Sequence, residues 1–351
     1  MKKKVYLTLK NGKVFQGYRF GAKGEVIGEL VFSTGGVDNC LVELTDPAYY
    51  GQILLNTFPL IGNYGVVPEE FEYEKPCVSA YVVREVCDEP SNFRSEGKLD
   101  DYLKKEGIVG IYGVDTRELT KIIRENGVMS AYIGDKPLQD LSILQEYSIK
   151  NAVEKMTCKE SATYGDENAK YTVAFVDYGS KKSDVEQLTS LGVKVIKLPA
   201  STTAEEILSL DVDGVVLSAG PGNPAENTAA IEEIKKLVGK KPVLGVSLGF
   251  QMLALALGAQ TAKMKTGHRG GQPVKCLDNG RVYISAQNHG YEVIASSVVN
   301  GKVNYVNVND GSVEGIEYPE LNAYGVQFDP AALSVACQTN ILYEKFLAKL
   351  K

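Results

Sequence analysis

Beyond residue 170, the chain alternates short apolar runs with longer stretches of helical pattern. The apolar, strand-like runs cover residues 172–177, 194–198, 214–218 and 242–246, with helical patterns between them. Strands that alternate with helices are typical of an open parallel sheet, whose ligand sites lie at the carboxyl ends of its strands. The pattern therefore predicts a doubly wound, mostly parallel α/β domain over residues 171–351.

The first half of the chain has a different pattern. Alternating apolar residues at its start, interrupted by Asn11-Gly12, predict a β-hairpin closed by a type I′ turn. Helical patterns follow at residues 99–104 and 115–124. We predict a mixed β/α domain over residues 1–150, followed by an aperiodic polar linker over residues 151–170.

Length and composition exclude several classes of partner. The 351 residues are enough for two hydrophobic cores, and a net charge of −6 provides no basic surface for nucleic acid. No segment approaches the roughly 20 apolar residues of a membrane span. The six cysteines form no Cys-x-x-Cys pair, so neither a disulfide framework nor a metal site is indicated. We expect a cytoplasmic protein with reduced thiols and no nucleic-acid or membrane partner.

The last of these apolar runs leads into Gly245-Val246-Ser247-Leu248-Gly249. This spacing predicts a strand-to-helix elbow, which exposes its central side chain beside the backbone N–H groups of a helix start. A serine there needs a positioned base, usually histidine, and the chain contains only His268 and His289. Ser247, Asp278 and His289 follow the chain order of an α/β-hydrolase triad, but order alone makes a serine hydrolase the least favoured alternative.

Several longer motifs occur in the order found in one known family. They are Leu44-Thr45-Asp46-Pro47, Glu89-Pro90-Ser91-Asn92, Gly113-Val114-Asp115-Thr116-Arg117, Ser218-Ala219-Gly220-Pro221-Gly222, Gly267-His268-Arg269-Gly270 and Gln287-Asn288-His289-Gly290-Tyr291. The second half resembles a class I glutamine amidotransferase domain. The whole chain, over residues 4–350, resembles the small subunits of carbamoyl phosphate synthetases.

The resemblance implies a specific division of labour. In this family, the small subunit hydrolyses glutamine through a Cys-His-Glu triad. The ammonia passes to a large subunit that uses ATP and magnesium to join it to bicarbonate and phosphate, for the arginine and pyrimidine pathways. The resemblance therefore implies a large-subunit partner, and no cofactor bound to this chain itself.

All three triad positions depart from the family's pattern. Ser247 stands at the cysteine nucleophile, Asp329 at the histidine and Ala331 at the glutamate that orients it, while Phe250 replaces the histidine of Gly-His-Gln after the elbow. A carboxylate with a pKa of about 4 is a poor base for a hydroxyl. We expect that glutaminase activity is lost and that the complex uses ammonia. The alternative is a diverged pseudoenzyme that acts as a regulatory or ligand-binding module.

Other positions of the family's glutamine pocket are better preserved. The resemblance assigns glutamine binding or the oxyanion hole to Gly220, Gly222, Leu248, Gln251, Gln287, Asn288, Gly290 and Tyr291. Ala48 departs, because the family has a serine there. Glutamine therefore remains a candidate ligand, and His289 is expected to stabilise a loop rather than to catalyse.

Overall fold

The computed structural model describes residues 3–36, 39–330 and 341–350. The chain forms two units, Met1–Lys150 and Asn151–Lys351. Each unit has a hydrophobic core of its own, as expected for a chain of this length.

The first unit is built around a closed β-barrel. Its strands are β1 (Lys4–Leu9), β2 (Val14–Gly21), β3 (Val26–Ser33), β4 (Gln52–Asn56), β5 (Leu60–Ile61), β6 (Ala80–Val83), β7 (Glu85–Val86), β8 (Val109–Tyr112) and β9 (Met129–Gly134). Its helices are α1 (Cys40–Thr45), α2 (Leu99–Lys105), α3 (Thr116–Asn126) and α4 (Ser142–Glu146). The barrel runs in the order β1-β2-β8-β6-β4-β3-β9 and closes between β9 and β1, while β5 and β7 pair separately.

The predicted hairpin at the start of the chain is present, but its turn is of another type. The strands β1 and β2 are antiparallel. A type I′ turn needs positive φ at two residues, and here Gly12 has a φ of 85° whereas Asn11 does not lie in the positive region. The N–H of Gly12 donates to the carbonyl of Leu9, and the N–H of Leu9 donates to that of Lys13. The loop between Leu9 and Lys13 therefore has one residue more than a two-residue type I′ loop. It forms the longer, bulged turn in which glycine takes the left-handed position.

The second unit contains a ten-stranded mixed sheet. Its strands are β10 (Ala162–Tyr164), β11 (Tyr171–Asp177), β12 (Val193–Pro199), β13 (Gly214–Leu217), β14 (Val243–Val246), β15 (Thr261–Cys276), β16 (Val282–Val293), β17 (Lys302–Asn307), β18 (Val313–Tyr318) and β19 (Ala323–Val326). Its helices are α5 (Ala152–Met156), α6 (Lys182–Ser190), α7 (Ala204–Ser209), α8 (Thr228–Leu237), α9 (Leu248–Ala256) and α10 (Ile341–Leu347). The strand order is β10-β12-β11-β13-β14-β19-β18-β17-β15-β16.

The parallel strands β12, β11, β13, β14 and β19 form the centre of this sheet. Val215 and Leu217 of β13 face a core that includes residues of α8 and α9, whereas Val216 faces a second core with residues of α6 and α10. Because successive side chains of a strand point to opposite faces, helices cover both faces of the sheet. The predicted doubly wound α/β architecture is confirmed.

The stretch 151–170, predicted to be a linker, contributes structure to the second unit. The helix α5 lies there, and β10 pairs antiparallel with β12 at the edge of the sheet. Hydrogen bonding along a three-residue edge strand needs no apolar period, so this sequence carries little signal for it. Within the described ranges, none of the helices combines the length and the apolarity that crossing a membrane requires.

Candidate functional site

Ser247 lies at a sharp turn between β14 and α9, at the carboxyl end of a central strand. Its backbone has φ of 50° and ψ of −106°, a region that a side-chain-bearing residue rarely adopts. The flanking glycines permit this turn. A Cβ on Gly249 would lie 2.3 Å from the carbonyl oxygen of Leu217, and one on Gly245 would lie 2.8 Å from the Cα of Phe250. The motif thus forms a nucleophile elbow in its backbone geometry.

The hydroxyl of Ser247 meets an amide rather than an imidazole. Among the described residues, the side chain of Gln327 donates from Nε2 to Ser247 Oγ at 3.4 Å. The Oε1 of Gln327 accepts a hydrogen bond of 2.8 Å from Gln251 Nε2. An amide nitrogen has no basic lone pair, so Gln327 can orient the hydroxyl but cannot take its proton.

Asp329, which the sequence resemblance assigns to the position of the family's catalytic histidine, is engaged in an ion pair. Its Oδ2 accepts a hydrogen bond from Lys181 Nζ, and both side chains are largely buried, with 19% and 14% exposure respectively. Its backbone N–H donates to the carbonyl of Ala286 at 2.9 Å. The carboxylate is thereby tied to an ammonium group. Ala331, predicted at the glutamate position, lies outside the described residues.

Phe250 is the residue that the sequence resemblance assigns to the position of a family histidine after the elbow. The residue lies in the first turn of α9 and is fully buried in the main core of this unit. Its ring approaches Gly325 of β19 so closely that a Cβ on that glycine would lie 2.7 Å from it. The Phe250 ring therefore packs α9 against the sheet.

Both histidines are held in a buried polar cluster on neighbouring strands. His268 and His289 are directly paired across β15 and β16. The ring nitrogens that face each other across the cluster, called the inner nitrogens here, are His268 Nδ1 and His289 Nε2, and each lies 2.9 Å from Gln287 Oε1. The outer nitrogen of His268 lies 2.8 Å from Asp310 Oδ2, and that of His289 lies 2.8 Å from the carbonyl of Tyr291. All four ring nitrogens thus have partners other than Ser247.

The surroundings shift the pKa values of the two histidines in opposite directions. Burial lowers the pKa of His268. The hydrogen bonds and charges of Glu314 and Asp310 together outweigh this effect, so the net shift of the pKa is upward. Burial and the neighbouring charge of His268 lower the pKa of His289 to about 3. His289 is therefore neutral at physiological pH, and its contacts hold it in the cluster.

Some of the predicted glutamine-pocket residues lie beside the elbow. The amide of Gln251, predicted to bind glutamine, is buried and donates to the carbonyl of Tyr291 at 2.7 Å as well as to Gln327. Leu248 is the first residue of α9. Its Cδ2 lies 2.9 Å from where a Cβ on Gly220 would be, so the Gly220 loop passes close to the elbow.

Other predicted pocket residues serve different contacts. The side chain of Gln287 belongs to the histidine cluster, while Asn288 and Gly290 follow it on β16. Gly222 adopts a φ of 91° in the loop after β13. Ala48 lies in the first unit, where its N–H donates to Asp46 Oδ1 at 2.9 Å.

The alternative serine-hydrolase triad is not assembled. Asp278 lies on an exposed turn and forms an ion pair of 2.5 Å with Lys302. His289 is bound to Gln287 and Tyr291, so neither residue contacts Ser247. The chain order that suggested the triad therefore has no geometric counterpart.

Sequence reasoning missed three polar residues of this region, Gln327, Lys181 and Glu314. Gln327 follows β19 and immediately precedes the Phe328-Asp329 pair, a place that marks it as part of a strand-end site. Lys181 precedes α6 and had no distinguishing signal. Glu314 is fully buried on β18, and a charged residue at such a position indicates a partner.

The first unit contains a separate cleft of about 690 Å³. Its lining includes Arg117, Lys121 and Arg124 of α3, together with threonines and one glutamate. None of the predicted glutamine-pocket residues lines it.

Comparison with known proteins assigns both halves of the chain to described families. Residues 7–133 match the family described as carbamoyl-phosphate synthase small chain, CPSase domain, and residues 174–349 match glutamine amidotransferase class-I. The carbamoyl phosphate synthase small chain of Clostridium perfringens is 43% identical over 348 residues, which cover 98% of this chain and 99% of that protein. That of Listeria monocytogenes is 42% identical over 352 residues, with coverage of 98% and 96%.

A crystal structure of a glutamine amidotransferase from Thermotoga maritima also matches the chain. It is 20% identical, covers 51% of this chain and 84% of its own, and superposes with a TM-score of 0.39.

Proposed function

Because the chain belongs to the carbamoyl phosphate synthase small-chain family, we propose that it serves a synthase complex whose nitrogen comes from free ammonia. Glutamine hydrolysis at the elbow has been lost. The observation that carries this proposal is the hydrogen-bond partner of Ser247 among the described residues, which is the Gln327 amide and not a base.

Amide hydrolysis requires a nucleophile and a group that accepts its proton. A serine hydroxyl is far less acidic than a thiol, so it depends on that acceptor more than a cysteine does. At this elbow, Gln327 offers only an amide, and the Asp329 carboxylate is paired with Lys181. Neither group is suited to accept the proton and then pass it to the leaving ammonia, so the described part of the chain supplies no acid–base catalyst for the acyl-transfer step.

The rest of the site is compatible with a small amide ligand that is bound without being cleaved. The elbow places the N-terminal end of α9 beside Ser247, and helix N-termini favour negatively polarised oxygen atoms. The buried Gln251 amide and the glycine loop after β13 complete this wall. Glutamine bound here would act as an effector rather than as a nitrogen source.

The synthesis itself belongs to a large subunit in this proposal. Phosphorylation of bicarbonate requires ATP and magnesium, which that partner would hold, and carbamoyl phosphate would supply arginine and pyrimidine synthesis. The contribution of this chain is to bind and stabilise the large subunit, a role that needs the fold but no nucleophile.

Reconstitution with the large subunit from the same organism tests the proposal. Carbamoyl phosphate formation is measured with ammonium and, separately, with glutamine as the nitrogen donor. A matched reaction uses a family small chain that retains the Cys-His-Glu triad. We expect ammonium to support both complexes, whereas glutamine supports only the control.

Two results would contradict parts of this proposal. Glutamine-dependent synthesis by the complex of this chain would mean that another group has replaced the triad. A failure of the chain to bind the large subunit in size-exclusion chromatography would favour the diverged regulatory module instead.

A further inference from the structure

The histidine cluster brings four potential metal ligands together in the interior of the second unit. His268 lies on β15, Gln287 and His289 lie on one face of β16, and Glu314 lies on β18. Their exposed fractions are 8%, 4%, 7% and 0%. The ligating atoms of the two histidines and the glutamate all lie within 4.8 Å of one another.

Each imidazole directs its outer nitrogen toward a hydrogen-bond acceptor. The acceptor for His268 Nε2 is the Asp310 carboxylate, and the acceptor for His289 Nδ1 is the Tyr291 carbonyl, both at 2.8 Å. When the outer nitrogens donate their protons to these acceptors, the inner nitrogens present lone pairs. This is the arrangement in which proteins hold metal-binding histidines, since the outer hydrogen bond fixes the tautomer and the ring orientation.

The amide of Gln287 is oriented by its own hydrogen bonds. Its Nε2 donates to Glu314 Oε2 at 2.8 Å and to Ser285 Oγ at 3.1 Å. Its Oε1 must therefore point at the two inner histidine nitrogens, which lie 2.9 Å away. When only the outer nitrogens carry protons, this oxygen faces two nitrogen lone pairs, and the contact becomes favourable when a cation lies among them, either a proton on His268 Nδ1 or a metal ion.

We propose that His268 Nδ1, His289 Nε2 and the Glu314 carboxylate, with Gln287 Oε1 as a fourth ligand, bind one divalent transition-metal ion. Tetrahedral zinc with ligands at about 2.1 Å separates neighbouring ligand atoms by about 3.4 Å. The separation between His268 Nδ1 and Glu314 Oε1 is 3.3 Å, and the contacts to Gln287 Oε1 are 2.9 Å. Small outward movements of these side chains make room for the ion.

The ligand set selects the kind of metal and its role. Two imidazoles with two oxygen ligands suit Zn²⁺ and Co²⁺, whereas Mg²⁺ and Ca²⁺ prefer oxygen alone. Four protein ligands leave no open position for a substrate, so the ion is structural. It joins the β15–β16 pair to β18, three strands of the antiparallel part of the sheet. This role is independent of any chemistry at Ser247.

Metal titration of the untagged full chain tests the site. The protein is stripped with a chelator, checked by circular dichroism, and titrated with Co²⁺ while the visible ligand-field bands of tetrahedral cobalt are recorded. We expect one Co²⁺ per chain, displaced by one Zn²⁺, and a higher Tm with Zn²⁺. Absence of binding would mean that protons alone satisfy the cluster. Thiolate-to-cobalt charge-transfer bands would place the ion at a cysteine. Either result overturns the proposal.

Two matched variants separate this site from adventitious binding. Asp310→Asn removes the charged partner of His268 from a side chain that is 45% exposed, and we expect the Co²⁺ affinity to fall by about 10–100-fold. Asp278→Asn changes an equally exposed aspartate, at 42%, on a different turn, and should leave the affinity unchanged. Glu314→Gln removes a charged ligand and should abolish binding. Equal affinities in wild type, Asp310→Asn and Glu314→Gln would refute the assignment.

Discussion

The elbow and the histidine cluster adjoin one another in the second unit, yet they differ in whether backbone path or side-chain contacts define them. The elbow has the backbone path of a nucleophile turn, with Ser247 in a strained conformation between close-packed glycines, while the described side chain that contacts its hydroxyl is an amide and not a base. The cluster keeps its histidines, and each ring nitrogen has a partner. A backbone path depends on many packing contacts, whereas a catalytic triad depends on three side chains. If glutamine hydrolysis has been lost as proposed, the backbone path has outlasted the chemistry.

A chain of hydrogen bonds connects the two regions. The carbonyl oxygen of Tyr291 accepts from His289 at 2.8 Å and from the amide of Gln251 at 2.7 Å. Gln251 in turn donates to Gln327, which donates to Ser247. Amide groups thus occupy the space between the histidines and the elbow, and no histidine reaches the serine.

The largest expected effect comes from rebuilding the triad. Ser247→Cys combined with Asp329→His and Ala331→Glu restores a nucleophile, a base and its orienting group. We expect its glutaminase rate to exceed that of Ser247→Cys alone by about 10²–10⁴-fold, the usual contribution of a positioned general base. Ammonia release from glutamine is the measurement.

A paired control isolates the base in this experiment. Ser247→Cys with Asp329→Asn breaks the Lys181 ion pair without adding a base, and should remain as inactive as Ser247→Cys. Turnover by Ser247→Cys alone would show that a nucleophile at the elbow needs no added base, and the proposed loss of acid–base chemistry there would be wrong.

The ion pair between Lys181 and Asp329 should affect stability. Lys181→Met leaves the Asp329 carboxylate without this largely buried cation, and we expect the free energy of unfolding to fall by about 1–3 kcal/mol. Lys182→Met, at the next position, removes a 53% exposed lysine that pairs with Glu186 and should change it by less than about 0.5 kcal/mol. Urea unfolding measures both. Equal effects would mean that solvent screens the Lys181 pair like a surface contact.

The parallel part of the fold could be predicted because its strands are buried on both faces. The pattern at residues 172–177 and 242–246 corresponds to Tyr171–Asp177 and Val243–Val246 in the structure. The elbow at residues 245–249 could be predicted because its Gly-x-Ser-x-Gly motif comes at the end of such a strand. The antiparallel part could not be predicted in full, since β15 contains glycines, lysines and Pro273 and has no continuous apolar run.

Closure of the barrel and assembly of the site depend on pairings between distant residues. Strand β3 pairs in parallel with β4 and antiparallel with β9, and no local pattern selects these partners. Gln327 and Ser247 are 80 residues apart, and their contact depends on the register of β14 against β19 and on a side-chain rotamer. Sequence motifs predicted which positions correspond to the catalytic ones, but not the groups that contact them in this structure.

The smallest expected effect concerns the strain that remains in the elbow. Ser247→Gly and Ser247→Ala both remove the hydroxyl, but only glycine adopts a φ of 50° without steric cost. Strain of about 1–3 kcal/mol is relieved by glycine and partly offset by the greater entropy of its unfolded chain. We therefore expect Ser247→Gly to be more stable than Ser247→Ala by about 1 kcal/mol in urea unfolding.

The opposite order is expected at a serine with ordinary backbone angles. At Ser190, on the exposed end of α6, glycine should be less stable than alanine by about 0.5–1 kcal/mol. If glycine were the less stable residue at Ser247 as well, the elbow would hold no strain. The backbone of the elbow would then be relaxed, and the contrast between its nucleophile-turn path and the proposed loss of chemistry would not hold.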